Sequence, residues 1–280
     1  MRGSWMETRW GVASDTGGRR QVNEDAVLAE SPVFVVADGM GGHARGDMAS
    51  SAVVAELRAL AREAQAAQRA LVPDDVAAAV RRAGAAIRAT MSSDDDGDPR
   101  GSVAGSTVTG AILTEQDGEP FWLVFNVGDS RVYRSTPQGM EQISVDHSLV
   151  QEMVDAGTIS RSEARHHPRR NVITRAVGTG PDPQVDFWML RVADGERLLL
   201  CSDGLLGELE DEVIAEVLRE APHPHEAAVS LLERALVGGG ANDNVSVIVV
   251  EAQPVAHDNE QCDERSSGAT LPRTEAGAQA

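Results

Sequence analysis

The stretch VVADGMGGH (residues 35–43) is the segment from which the fold can be worked out. A run of branched apolar residues, typical of a buried strand, ends at Asp38, and three of the next four residues are glycine. We expect the strand to carry Asp38 rigidly to the rim of a sheet. The glycines leave room there for backbone, water or a metal ion, because they have no Cβ. Gly39 is also a candidate ligand through its carbonyl oxygen.

The composition is that of an acidic globular protein. The 280 residues include 41% hydrophobic residues, and the formal net charge is -19. The sequence contains 25 arginines and no lysine. A net acidic chain argues against a nucleic-acid partner. The longest apolar runs, about six residues, are far shorter than the roughly 18 needed to span a membrane.

The chain start, MRGSWMETRW, has no apolar segment typical of a signal peptide. Cys201 lies in an apolar strand pattern and Cys262 in a polar tail, so we predict no disulfide between them. A reducing, cytoplasmic location is therefore the expectation. The chain is also expected to be a monomer.

Hydrophobic periodicity predicts the secondary structure. Apolar residues recur with helical spacing over 53–64 and 76–91, the second after a Pro73-Asp74-Asp75 start signal. Strand patterns cover 8–15, 26–37, 106–115, 120–129, 131–135, 185–192, 196–201 and 244–251, and further helical segments cover 148–166, 211–220 and 225–236. Short turns between strands favour antiparallel pairing. The fold class predicted is α+β, a layered sandwich of two antiparallel sheets with helices outside.

Aspartates stand at the ends of several predicted strands. Asp38, Asp129 and Asp203 each close an apolar run, and Asp243 opens the last one. Asp25, preceded by Glu24, stands before another strand. Any one of them alone is read as a turn residue. If the strand ends converge at one rim, however, the carboxylates repel one another by several kcal/mol per close pair at an effective dielectric of about 20.

Divalent cations would relieve that repulsion. Carboxylates without cysteine or paired histidines favour Mg²⁺ or Mn²⁺ over Zn²⁺. Two ions about 3.5–4 Å apart would activate a bridging water and hold a phosphoryl oxygen. The segment SSDDDGDPRG (92–101) resembles a calcium loop only superficially, because Val103 stands where a bidentate glutamate is required.

A second hypothesis concerns the same glycines. Residues 39–44, GMGGHA, fit the dinucleotide-binding fingerprint G-x-G-x-x-G/A. Against it, Asp38 would place a negative charge beside the pyrophosphate. The acidic residue expected about 20 positions later is also missing from a second strand end, since Glu56 falls within a helix pattern.

Eight motifs in order resemble the metal-dependent protein serine/threonine phosphatases of the 2C type, bacterial branch. They are GGRRQVNED, VVADGMGGHARG, GSTVTGAIL, NVGDSRVYR, DHSLVQEMVDAGTI, HPRRNVITRAVG, LLLCSDGL and NDNVSVIVV. The resemblance covers roughly residues 8–251. It implies a four-layer α/β/β/α sandwich with two central antiparallel sheets, in agreement with the layers predicted above.

The resemblance also implies a metal centre of two core ions, Mn²⁺ or Mg²⁺. In it, Asp38 bridges both ions and the carbonyl of Gly39 binds the second. Asp203 and Asp243 complete the first ion's ligands. Asp25 acts near the second ion, mostly through water, with Glu24 a weaker candidate.

Three further residues take roles through the same resemblance. Asp129 resembles the ligand of a third, loosely held ion shared with Asp203. Arg20 matches the arginine that grips substrate phosphate, although Arg19 is adjacent and can be confused with it. His43 is either the general acid that protonates the leaving group or a residue that orients a water or packs the helix start.

The resemblance divides the chain into an N-terminal extension (1–7), a phosphatase catalytic domain (8–252) and a tail (253–280) expected to be disordered. A flap, about 146–178, lies beside the site. Its basic segment RSEARHHPRR (161–170) either recruits acidic or phosphorylated loops or forms a solvated helix face.

The implied activity is hydrolysis of phosphoserine and phosphothreonine on proteins by a metal-bridging water, opposing bacterial serine/threonine kinases. Phosphorylated proteins, including those kinases and their substrates, are the partners implied.

Cys201 is not expected to be a nucleophile, because Gly207 stands where a cysteine phosphatase has its arginine. His147 is expected to be a structural hydrogen-bonding residue, and Asn244 to hold Asp243 in place. The alternative to catalysis is the same fold with an inactive site that only binds phosphoproteins.

Overall fold

The computed structural model describes residues 6–41, 44–93 and 103–254. The strands are β1 (Met6–Asp15), β2 (Asp25–Glu30), β3 (Val33–Met40), β4 (Gly105–Ser106), β5 (Val108–Gln116), β6 (Glu119–Val127), β7 (Arg131–Thr136), β8 (Gly139–Gln142), β9 (Asp186–Arg191), β10 (Arg197–Cys201) and β11 (Val245–Pro254). The helices are α1 (Ala44–Ala67), α2 (Pro73–Ser93), α3 (Leu149–Asp155), α4 (Arg161–His166), α5 (Asp203–Glu208), α6 (Asp211–Glu220) and α7 (Pro224–Ala235).

The strands form two antiparallel sheets. One has the order β1-β11-β10-β7-β8, and the other β2-β3-β5-β6-β9 with the short β4 beside β3. Because β3 runs antiparallel to both β2 and β5, the glycines that follow it do not belong to a parallel β-α-β crossover. The dinucleotide-binding hypothesis is therefore wrong for this chain.

Three apolar layers hold the sheets and helices together. The middle layer lies between the sheets and contains Phe34 and Trp122 from one sheet and Leu200 and Ile248 from the other. One outer layer joins β2, β3, β5 and β6 to the apolar stripes of α1 and α2, and the other joins the second sheet to α5, α6 and α7. The predicted α+β class and the α/β/β/α order of layers are confirmed.

Some element boundaries differ from those predicted. The single strand pattern at 26–37 is a hairpin, β2 and β3, which turns at residues 31–32. Pro32 lacks a backbone N–H and cannot continue a ladder of hydrogen bonds, so the apolar run is interrupted there. Helix α5 and strand β8 were not predicted, because six and four residues are too few for a periodic pattern. The start of α2 at Pro73 agrees with the prediction, and the stripe predicted over 53–64 lies within α1, which begins nine residues earlier at Ala44.

Among the described residues, no helix has the length and apolarity to cross a bilayer. His43, most of the segment 92–101 and the predicted tail from residue 255 onward lie outside those described. Cys201 is buried and unbridged.

Candidate metal centre

The predicted aspartates come from both sheets. Asp25 and Asp38 are paired across β2 and β3. Asp203 follows β10 as the first residue of α5, and Asp243 lies just before β11. Because β10 and β11 are neighbours in the second sheet, Asp203 and Asp243 are brought to one end of it.

Backbone hydrogen bonds hold Asp38 in place. Its N–H donates to Thr107 Oγ1 at 2.9 Å, and its carbonyl oxygen accepts from the N–H of Thr107 at 2.8 Å. The Thr107 hydroxyl is also bonded to the Ser130 hydroxyl at 2.8 Å, next to Asp129. One threonine therefore links the strand that carries Asp38 to the turn that carries Asp129.

The pKa of Asp38 reflects its burial and the charges of nearby carboxylates. Burial raises the pKa of Asp38 well above its ordinary value, and the charges of four other aspartates raise it further. Those four are Asp25, Asp203, Asp129 and Asp243. The structure thus brings together all five aspartates singled out in the sequence.

The neighbouring carboxyls respond in the same direction. Burial raises the pKa of Asp25 to about 7, and burial raises that of Asp129 well above the usual range. For Asp203, burial and then the charge of Asp243 raise the pKa. Such a cluster is stable only with added protons or cations.

The oxygens of this cluster suit a hard divalent cation. Asp25 Oδ2 accepts a hydrogen bond from Ser202 Oγ at 2.8 Å, whereas the buried Oδ1 of Asp25 has no hydrogen-bond partner in the structure. Oδ1 of Asp129 is likewise buried without one. Within residues 6–41, 44–93 and 103–254, no group of three or more His, Cys, Asp or Glu side chains is arranged so that it could hold a metal ion. The fit to Mn²⁺ or Mg²⁺ rests on the charge and donor type of the buried carboxylate oxygens.

Gly39 is required by packing as well as by its position. A Cβ on this residue would lie 2.1 Å from the carbonyl oxygen of Gly46 in α1. The N–H of Gly39 donates to the carbonyl of Glu24 at 3.1 Å. Glycine after Asp38 thus lets the first turns of α1 approach the end of β3, in line with the room for backbone expected from the sequence.

Arg20 lies at the edge of the cluster. Its guanidinium donates to Asp243 Oδ2 at 2.8 Å and to Glu24 Oε2 at 3.5 Å, and 46% of its side chain is exposed. It is therefore Arg20, the residue chosen over Arg19, that contacts the carboxylates while remaining reachable from solvent.

Asn244 does more than the predicted support of Asp243. Its N–H donates to Asp243 Oδ1 at 2.8 Å. Its buried side chain donates to the carbonyls of Thr16 and Val22 and accepts from the N–H of Glu24. Asn244 therefore fixes the loop that carries Arg20.

The serines around Asp25 were missed in the sequence. The hydroxyl of Ser202 binds Asp25 and accepts from the N–H of Ser246, and Ser246 is bonded through its hydroxyl to Ser14. A signal was available, because Ser202 directly precedes Asp203 and Ser246 lies three residues after Asp243.

A groove of about 490 Å³ opens beside the cluster. Asp129, Asp203 and Asp243 line it, and so do basic residues of the flap (residues 146–178). The flap residues in its wall include Arg161, Arg165, His166 and Arg170.

Arg165 anchors the flap to α5. Its guanidinium donates to the carbonyl of Leu206 in α5 at 3.4 Å and to that of Leu209, just after α5, at 3.0 Å, and it pairs with Glu210 at 3.1 Å. Since α5 begins at Asp203, this contact joins the basic segment to the helix that carries a candidate ligand. Residues 161–170 were expected either to recruit acidic or phosphorylated loops or to form a solvated helix face. Several of these residues line the groove.

Cys201 is not arranged as a nucleophile. Burial raises the pKa of its thiol to about 12, so the thiolate is not formed near neutral pH. His147, by contrast, is hydrogen-bonded through both ring nitrogens, as expected for a structural residue.

The chain is similar in sequence to bacterial serine/threonine phosphatases. Residues 18–237 match the family described as Protein phosphatase 2C. The serine/threonine protein phosphatase PstP of Mycobacterium tuberculosis is 38% identical over 277 residues, which are 96% of this chain and 51% of that protein. The chain thus spans about half the length of this relative. The serine/threonine phosphatase stp of Listeria monocytogenes is 32% identical over 245 residues, covering 85% of this chain and 93% of that protein.

Solved structures agree in fold. The M. tuberculosis phosphatase PstP/Ppp superposes with a TM-score of 0.75 at 36% identity, over 87% of this chain and 98% of that one. The catalytic domain of PstP in complex with two manganese ions gives a TM-score of 0.74 at 34% identity, over 88% and 99%.

Proposed function

The chain belongs to the protein phosphatase 2C family, and we propose that it is a metal-dependent phosphatase acting on phosphoserine and phosphothreonine in proteins. The clustering of four other aspartates around the buried Asp38 is the observation that carries this proposal. Relatives described as serine/threonine phosphatases, and a structural relative solved with two manganese ions, support it.

We assign the ions to the carboxylate cluster. Asp38, Asp203 and Asp243 would hold the first core ion, and Asp38, the carbonyl of Gly39 and Asp25 the second. Asp129, with Asp203, would hold a weaker third ion. Bound Mn²⁺ or Mg²⁺ supplies positive charge to the phosphoryl oxygens and lowers the pKa of water, which makes hydroxide available at neutral pH.

The protein's own groups do the rest of the chemistry. Arg20 is partly exposed beside Asp243, so its guanidinium fork can bind two phosphoryl oxygens and orient the phosphate. The buried carboxylates exclude other anions until a cation is present. The serine or threonine oxygen released from phosphorus needs a proton, and His43 remains our candidate donor.

The catalytic unit proposed covers residues 8–252, with the flap beside the groove. Phosphorylated proteins are the proposed substrates, and serine/threonine kinases that phosphorylate the same proteins the proposed opponents. Arginines of the flap and aspartates of the cluster line the same groove, which supports a phosphorylated protein segment as the substrate.

The test is release of phosphate from a phosphothreonine peptide with Mn²⁺, Mg²⁺ or excess chelator. We expect turnover only with metal, and a loss of about 10³-fold or more in Asp38→Asn and Asp203→Asn. Asp194→Asn, at an exposed position, is the matched control and should behave as the unmodified protein. Metal binding without turnover would instead indicate a phosphoprotein-binding module.

A further inference from the structure

His147 binds Gly128 through two separate hydrogen bonds. The backbone N–H of His147 donates to the carbonyl of Gly128 at 2.8 Å, and the N–H of Gly128 donates to His147 Nδ1 at 3.0 Å. Gly128 has a φ of 111°, a conformation that favours glycine, and it directly precedes Asp129. The buried histidine ring, 6% exposed, therefore holds the turn that presents Asp129.

Gly128 and Asp186, the two partners of the ring, set which nitrogen carries the proton. Because Nδ1 accepts from Gly128, the proton of the neutral ring is on Nε2, and Nε2 lies 3.1 Å from Asp186 Oδ2. Arg175 donates to the other oxygen of Asp186 at 2.9 Å. Burial lowers the pKa of His147, which agrees with a neutral ring that accepts at one nitrogen and donates at the other.

Backbone hydrogen bonds of His147 and of nearby Leu149 join the two ends of the flap. The N–H of Thr174 donates to the carbonyl of His147 at 2.8 Å, and that of Leu149 donates to Val172. His147 stands at the start of the flap and Thr174 near its end. The turn at Gly128, both ends of the flap and Asp186 in β9 are thus connected by direct hydrogen bonds.

We propose that His147 is a positioning residue for Asp129, and that Asp186 fixes the tautomer in which it works. The turn of Asp129 and the base of the flap then move as one unit. The role assigned to Asp129 rests on the proposed function, but the contact between His147 and Gly128 does not.

Two substitutions of His147 separate positioning from packing. Asparagine has a side-chain oxygen where Nδ1 lies, so His147→Asn keeps an acceptor for the N–H of Gly128. Glutamine reaches the position of Nε2 and keeps the donor to Asp186, so His147→Gln loses that acceptor. A second pair needs no change at the histidine: Asp186→Ala removes the partner of Nε2, whereas Arg175→Ala leaves the histidine and aspartate together.

The first measurement is hydrogen exchange of the Gly128 amide in the metal-free protein. We expect exchange about tenfold or more faster in His147→Gln and Asp186→Ala, and close to that of the unmodified protein in His147→Asn and Arg175→Ala. The second is calorimetric titration with Mn²⁺, in which the first two variants should weaken the loosest ion by about tenfold or more.

Unchanged exchange in His147→Gln and Asp186→Ala would overturn the proposal. Equal damage in His147→Asn and His147→Gln would also overturn it, because that result would make the ring a packing group. If either histidine variant fails to fold, the Asp186→Ala and Arg175→Ala pair decides. A lack of turnover in the unmodified protein would count against the proposed function alone, since exchange is measured without metal or substrate.

Discussion

Asp25 and Asp38 stand directly opposite each other across the antiparallel pair of β2 and β3. Like charges at such positions are destabilising, and here both carboxyls are partly buried. Ser202 satisfies one oxygen of Asp25 but supplies no charge. The end of this hairpin is therefore built for a cation or a proton rather than for the stability of the metal-free chain.

The first prediction concerns pH. Burial raises the pKa of Asp25 to about 7 and that of Asp38 well above its ordinary value, so the folded state retains protons that the unfolded chain has already released. The stability they contribute is present below the unfolded pKa and is lost as pH rises through the folded one. In chelator, the free energy of unfolding should fall from about pH 5 to about pH 8, by up to about 1.4 kcal/mol per pH unit for each proton.

Urea denaturation at a series of pH values measures this slope. A free energy of unfolding that rises or stays level over the interval would show that the carboxylates do not share one buried site.

Asp38→Asn should lose activity and, in the absence of metal, gain stability. Asparagine keeps the shape of the side chain and removes the charge on which four other aspartates act. In chelator at about pH 8, we expect the variant to be more stable by about 1–3 kcal/mol. Thermal and urea unfolding beside the exposed Asp194→Asn control provide the comparison. A destabilised Asp38→Asn would mean that the charge of Asp38 already has a compensating partner.

Arg20→Ala should raise KM for a phosphopeptide by about tenfold or more, with a smaller change in kcat. Arg20 reaches the cluster through Asp243 and Glu24, and its guanidinium can bind two phosphoryl oxygens. Arg20→Lys should recover only part of the affinity, because an ammonium group lacks the planar fork.

The neighbouring Arg19→Ala variant is the control for this measurement. A larger effect on KM at Arg19 than at Arg20 would reverse the assignment of the phosphate ligand.

Asn244→Ala should destabilise the protein by about 2–4 kcal/mol, because it leaves the carbonyls of Thr16 and Val22 and the N–H of Glu24 without their partner. The loop that carries Arg20 should loosen at the same time, so KM for the phosphopeptide should also rise. Unfolding and steady-state kinetics are compared with Asn242→Ala. Asn242 is exposed, and its side chain binds only Glu208 in the described contacts. Similar losses in both variants would contradict the role given to Asn244.

Much of the layered fold could be predicted because apolar residues recur at a clear helical or strand spacing in its long elements. The apolar stripes of α1 and α2 and the strands around Asp38 and Asp203 follow directly from residue spacing. The hairpin turn at Pro32 and the short α5 could not be found in this way, since each alters only a few residues.

The candidate site, too, could be predicted from the sequence only in part. Aspartates at strand ends are visible in the sequence, and the family resemblance assigned roles to them. Which strand ends meet depends on sheet order, so Ser202 and the loop contacts of Asn244 appear only in three dimensions. His147 could be expected to form hydrogen bonds, but its partner Asp186 lies 39 positions away.

The carboxylates belong to two different sheets, and this has a thermodynamic consequence. Asp25 and Asp38 come from one sheet, while Asp203 and Asp243 flank strands of the other. An ion shared between the two pairs, as proposed above, would also link the two sheets, and at 100 times its dissociation constant it would add about 2.7 kcal/mol to the free energy of unfolding. Substitutions that loosen the apolar layer around Trp122 should therefore also lower the affinity for manganese.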